Sequence, residues 1–227
     1  MGAAAVLPVE RWTRVKPLVQ EEHEACSALL GTIGSEHALL SLPPHDQFHW
    51  LHRFYLLLDA VAERHSVYKL YGGPHGFMIS TGVAEPSINH AAVLLRFALD
   101  LRQATHSIRL PCQIPLDLRL VLTSGPACSG LLGTASLTYQ MVGRAVAVAR
   151  ELLNTQTEVP FMVTADMKKA LPPSFGSMLV PLGGVRLRAS LCGEQEVFSL
   201  QQYASLKLTQ PAHLPACETV AGAGRRE

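Results

Sequence analysis

The sequence predicts an α+β sandwich: a mainly antiparallel sheet with helices on one face. Two observations carry this expectation. Periodic segments follow the order strand, helix, hairpin, helix, strand, strand, helix, strand, with more strand near the end. Apolar stripes at helical spacing alternate with short runs that are wholly apolar or of period two, so helices and strands are interleaved along one chain.

Each element has its own reason. Residues 25–33, ACSALLGTI, read as a short buried strand. Pro43-Pro44 breaks the chain, because proline has no amide proton for a ladder or a helix interior. Phe48, Leu51, Tyr55, Leu58 and Ala62 then recur at steps of three and four, a core-facing helical stripe with Asp46 as its expected N-cap. Residues 67–71 and 77–82 read as two strands joined by Gly-Gly-Pro-His-Gly. A second helix is expected from about Ser87, with Ile88, Ala92, Leu95 and Leu99 on its apolar side. After a polar loop at 105–116, DLRLVLT alternates, and SGPACSGLLG reads as a turn into the strand LTYQMV. A third helix runs from Arg144 to about Asn154. FMVTA, the short helix DMKKAL and strands near 177–188 and 196–202 close the pattern. The whole sandwich is close to the ferredoxin-like, split βαβ arrangement. The expected organisation is an N-terminal extension at 1–24, a domain at 25–203, and a tail at 204–227 that is flexible or bound by a partner.

Composition narrows the function classes. Charged residues make up 16% of the 227 and hydrophobic ones 48%. The usual charged share is about 25%, so part of the surface is expected to lie against a protein partner. The net charge of +1 gives no basic footprint for nucleic acid. Five cysteines, an odd number with no CxxC pair, read as reduced thiols of an intracellular protein. No apolar run has the length to span a bilayer, and Val6 stands where a myristoylation signal needs Ser or Thr. The expected location is the cytoplasm. A cytoskeletal or ciliary assembly is a guess that no residue supports. Neither Ser124-Gly-Pro nor Ser129-Gly forms a G-x-S-x-G elbow, and GLLG lacks the Gly-Lys-Ser/Thr of a P-loop.

Two gapless segments carry a family resemblance. FYLLLDAVAERHSVYKLYGGPHGFMISTG and LRLVLTSGPACSGLLGTASLTYQMVGRAVAVARELL resemble the two anchor segments of class III adenylate and guanylate cyclase catalytic domains. Gly125, Pro126, Gly130, Gly133, Tyr139, Gly143, Val146 and Ala149 fall in register with the family pattern. The resemblance implies a dimer in which one subunit gives two metal-binding aspartates and the other gives base-reading and transition-state residues.

The positions to which the resemblance assigns chemistry are substituted. Gly31 and His75 stand where the metal aspartates are expected. Tyr71 and Gln140 stand at the purine-reading positions, and Ala147 and Glu151 at the transition-state Asn and Arg. The late lysine has no clear counterpart. Ser190 and Cys192 lie near its place, and Arg186 or Arg188 could supply charge there. Arg150 is set aside, because a one-residue offset turns a helix position by about 100°. His75 reads as a solvated turn histidine, with no metal or other cofactor expected. These substitutions lead to a first expectation: a pseudoenzyme, not an enzyme, acting as a scaffold subunit through a cyclase-type dimer or a larger complex. A non-catalytic purine-nucleotide sensor is the alternative, and a divergent active cyclase ranks last.

Overall fold

The computed structural model describes residues 19–33, 36–110, 114–133, 137–155, 158–187, 193–203 and 205. In chain order the elements are β1 (Gln20–Ile33), α1 (Glu36–Leu40), α2 (Pro44–His65), β2 (Tyr68–Gly73), β3 (Gly76–Thr81), α3 (His90–Thr105), β4 (Leu118–Leu132), β5 (Thr138–Val142), α4 (Arg144–Leu153), β6 (Phe161–Thr164), α5 (Ala165–Ala170), α6 (Pro173–Gly176), β7 (Leu179–Arg186) and β8 (Glu194–Leu200).

The sheet order is β2-β3-β1-β4-β6-β8-β7, with β5 paired to β4. Hydrogen-bonded neighbours among the first four strands are antiparallel. β1 and β2 run in the same direction with β3 between them, which is the split βαβ arrangement. Among the described strands, only β4 and β6 pair in parallel, through a crossover that carries α4. The α+β class is as expected.

Alternation along the central strands builds two cores. Leu29, Leu120, Leu122 and Phe161 face a cluster with Phe54, Leu58, Leu94 and Leu101 of α2 and α3. Their neighbours Leu30, Val121 and Met162 face a second cluster with Val146, Ala149 and Leu152 of α4. The helices therefore cover both faces, not one, because the β5–α4 crossover passes on the side opposite α2 and α3.

Several local expectations change. Pro44 is the first residue of α2 and Pro43 its N-cap, so the pair starts the helix, as fixed φ angles suit its first turn. Asp46 sits in that first turn and does not cap it. The buried side of α2 is Phe54, Leu58, Val61 and Ala62, while Phe48 is 72% exposed. Ile88 is 96% exposed, because it precedes a helix that starts at His90. The glycine-rich SGPACSGLL is continuous strand in β4. Gly130 serves close strand approach there: a Cβ on it would meet Val19 O and lie 3.0 Å from Gln20 Cα. β1 begins at Gln20, ahead of residue 25, while residues 1–18, Cys112, Arg188, Ser190, Cys192 and the tail from 206, Cys217 included, lie outside the described residues. Cys26 and Cys128 are unbridged. No helix among the described residues is long and apolar enough to cross a membrane.

Candidate functional site

Four of the six family positions meet. Gly31, Tyr71, His75 and Gln140 line one cleft of about 360 Å³, within the usual range for small-molecule sites. Ala147 and Glu151 do not line it; Arg150 and Asn154 do. A larger cavity of about 630 Å³, beside Trp50 and Arg53 of α2, contains none of the six.

One wall of the cleft is the end of β1 and the β2–β3 hairpin. Gly31 pairs with Phe77 across the ladder. A Cβ on Gly31 would clash with the tip of the Phe77 ring at Cζ, 2.7 and 2.8 Å from its two Cε atoms. The ring thus occupies the place of a side chain at residue 31, and it packs on Phe54 with centroids 5.9 Å apart. The hairpin is held from below by Tyr55 of α2. Its hydroxyl accepts from Gly73 N at 2.9 Å and lies 2.7 Å from Gly73 O and 3.0 Å from Gly76 O. Burial pushes the Tyr55 phenol up to about 12, the Gly73 bond opposing the rise, so it stays a neutral donor. His75 sits exposed at the tip.

The other wall is β5 and α4. Gln140 is half-buried, opposite Gly130 in the ladder. Its neighbour Tyr139 meets Ser129 at 2.7 Å, and Ser129 meets His23 at 2.7 Å. This buried chain of three polar side chains ties β5 to β4 and β1. Gly143 brings β5 into α4 with no linker. On α4, residues 147, 150, 151 and 154 follow steps of three, one and three, so they share one side of the helix. The cleft lies toward the C-terminal end of that side, and takes Arg150 and Asn154 instead of Ala147 and Glu151. Sequence reasoning set Arg150 aside on helix register and did not single out Asn154. The signal was present, since a guanidinium and a carboxamide four residues apart repeat the family pair in reverse order, nearly one turn later. Neither side chain has a hydrogen bond or ion pair among the described residues.

A pair of divalent cations does not fit these donors. Magnesium takes hard oxygen ligands, chiefly carboxylates. No Asp or Glu lines the cleft, and the described residues hold no group of three or more His, Cys, Asp or Glu suited to a metal. Among the described residues, Arg150 is the only Lys or Arg in its lining.

The residues 18–202 match the family model of the adenylate and guanylate cyclase catalytic domain. The chain belongs to that family. Among curated relatives, an adenylate cyclase of Mycobacterium tuberculosis is 27% identical over 177 residues, covering 76% of this chain and 40% of its own length. Retinal guanylyl cyclase 1 of Rattus norvegicus is 28% identical over 120 residues, 52% of this chain and 11% of its own. The chain thus spans well under half the length of these cyclases. Among solved structures, the guanylate cyclase domain of RhGC from Catenaria anguillulae, in complex with GTP, aligns with a TM-score of 0.71 at 21% identity, covering 79% of this chain and 97% of that one. The adenylyl cyclase CyaB from P. aeruginosa aligns at 0.67 and 12%, covering 81% and 96%.

These findings correct the expectation of an inactive, non-enzymatic scaffold. The cyclase family's relatives are named as cyclases, and nothing in the match indicates lost catalysis. That expectation weighed only the aligned positions, whereas Arg150 and Asn154, on the same side of α4, also line the cleft.

Proposed function

We propose that the chain is a nucleotide cyclase domain that takes a purine nucleoside triphosphate in the cleft between the β2–β3 hairpin and α4. The observation that carries this is the convergence of Tyr71, Gln140, Arg150 and Asn154 on one cleft within a domain of the cyclase family. In the reaction the ribose 3′-oxygen bonds to the α-phosphorus, the bond to the β-phosphate oxygen breaks, and pyrophosphate leaves. The 3′-hydroxyl proton passes to solvent. Gln140 offers both a donor and an acceptor to a purine edge, and Tyr71, 45% exposed, offers a stacking face and a hydroxyl. Arg150 and Asn154 bring N–H donors to phosphate oxygens as charge develops on them.

The domain works as a dimer. The metal carboxylates that the family resemblance implies have no counterpart at Gly31 and His75, so a second cyclase domain that carries them completes the site. The two unbridged thiols support a reducing, cytoplasmic setting.

The test is cyclic nucleotide formation from ATP and from GTP, with manganese and with magnesium. It is run on the chain alone and on the chain mixed with a cyclase domain whose own Asn and Arg donors have been removed. Product in the mixture supports the reading. Product from the chain alone keeps the cyclase and removes the need for a second partner. No product in either arm ends it.

A further inference from the structure

We infer that the cleft binds the nucleotide polyphosphate directly, through the Arg150 guanidinium, and that this chain needs no divalent cation to do so. The inference rests on the cyclase reading of the same cleft and goes further, because it names which charge holds the anion.

Three observations carry it. First, the place where a metal-binding side chain would stand on β1 is filled. The Phe77 ring lies where a Gly31 side chain would be, and that ring is buried and wedged on Phe54. The cleft has lost both the ligand and the space for one.

Second, the charge of the lining is inverted relative to a metal site. A two-metal site is acidic when empty, and the cations reverse its sign before a polyphosphate can enter. Here no Asp or Glu lines the cleft, while Arg150 does. An arginine fork presents several N–H donors in the geometry of a phosphate's oxygens, and needs no cation between them.

Third, Arg150 is available. It is exposed, and no acidic side chain among the described residues pairs with it. Asn154 lies one turn further on the same side, also exposed and unpaired, and adds a neutral donor. Thr32 contributes a hydroxyl at the end of β1. Gln140 faces the cleft from β5, so a ligand anchored at Arg150 can reach it with its base. The chemical class that fits is a purine nucleotide with two or three phosphates.

The experiment is calorimetric titration of the full chain with ATP, GTP and inorganic triphosphate, each in EDTA and in excess magnesium. The expected result is nucleotide binding in EDTA that magnesium leaves unchanged or weakens, since magnesium neutralises part of the charge that Arg150 reads. Inorganic triphosphate is expected to bind more weakly than the nucleotides, and equal binding would overturn the purine part of the inference. Arg150→Ala is expected to weaken binding roughly tenfold to a hundredfold, the loss of one charge-assisted contact. Arg150→Lys should recover part of it, keeping charge without the fork. Position 150 is exposed, so an unchanged thermal melt will show that the variants are folded. Binding that appears only with magnesium, or that survives Arg150→Ala, overturns the inference. Cyclic nucleotide formation then decides separately whether the cyclase reading stands: magnesium-dependent binding with turnover removes direct phosphate binding alone, and no binding with no turnover removes both.

Discussion

The two walls of the cleft have diverged in different ways. On the hairpin wall, the residue to which the family resemblance assigns an acid is Gly31, and the Phe77 ring lies against it. On the α4 wall, an arginine and a carboxamide, Arg150 and Asn154, line the cleft toward the helix end. The difference teaches that a strand and a helix tolerate change differently. A strand position has fixed ladder neighbours, Phe77 and Leu120 for Gly31, and here the Phe77 ring fills the space a side chain would take. A helix offers several positions on one side, so a function can move by a turn and stay in the cleft.

The sharpest way to break the comparison is to restore the lost acid. Gly31→Asp drives a Cβ against the tip of the Phe77 ring and places a carboxylate in buried surroundings. Overpacking alone costs about 1–3 kcal/mol, and an unpaired buried carboxylate adds to it. Chemical denaturation should show a loss of about 3 kcal/mol or more. If Gly31→Asp is as stable as the parent, the ring does not fill that place.

The second effect lies on the opposite wall. Asn154→Ala should lower turnover about a hundredfold, the typical cost of one transition-state donor. Ala147→Ser, at the family's own Asn position, should change turnover by less than about threefold, within the scatter expected of a surface substitution. Steady-state rates of both variants, with the same second subunit, check the pair.

Much of this was legible in the sequence, and the failures share a cause. Apolar alternation located the strands, and helical spacing located α2, α3 and α4. Phe48 was misplaced because a stripe shows which side of a helix is apolar but not where the sheet stops supporting it. The SGPACSGLL stretch was read as a turn because glycine permits turns. Here Gly130 permits β1 to approach closely, and nothing local separates the two uses. At the site, Tyr71 and Gln140 both line the cleft, as does Arg150, which was set aside on register. Register fixes the direction of a side chain. It does not fix where along the helix axis the cleft lies, and that depends on the hairpin reaching over from β2 and β3.

Smaller effects sharpen the hairpin side. Tyr55→Phe removes the hydroxyl that holds Gly73 and Gly76. It should cost about 1 kcal/mol, and amide hydrogen exchange should speed up at residues 73–77 more than elsewhere. Equal exchange at the tip would mean that the hairpin holds itself.

The smallest effect lies away from both walls. His90 is buried at the start of α3, with Nδ1 2.8 Å from Ser27 Oγ, and burial holds its pKa below the usual 6.5. The folded state therefore binds fewer protons than the unfolded one in this window. Stability is complete above pH 6.5 and is lost as pH falls from there toward the folded pKa. Besides Ser27, the oxygens at this end of α3 include Glu85, in a shared cavity. His90→Gln should flatten the fall in melting temperature between neutral and mildly acidic pH. An unchanged slope would assign the acid sensitivity to other groups.

The most direct test of the account is a side-by-side rate of cyclic nucleotide formation for Arg150→Ala and Glu151→Ala. If the donors have moved along α4, Arg150→Ala loses about a hundredfold or more, while Glu151→Ala stays within about threefold of the parent. The reverse pattern, with residue 151 controlling the rate and residue 150 silent, would contradict the account.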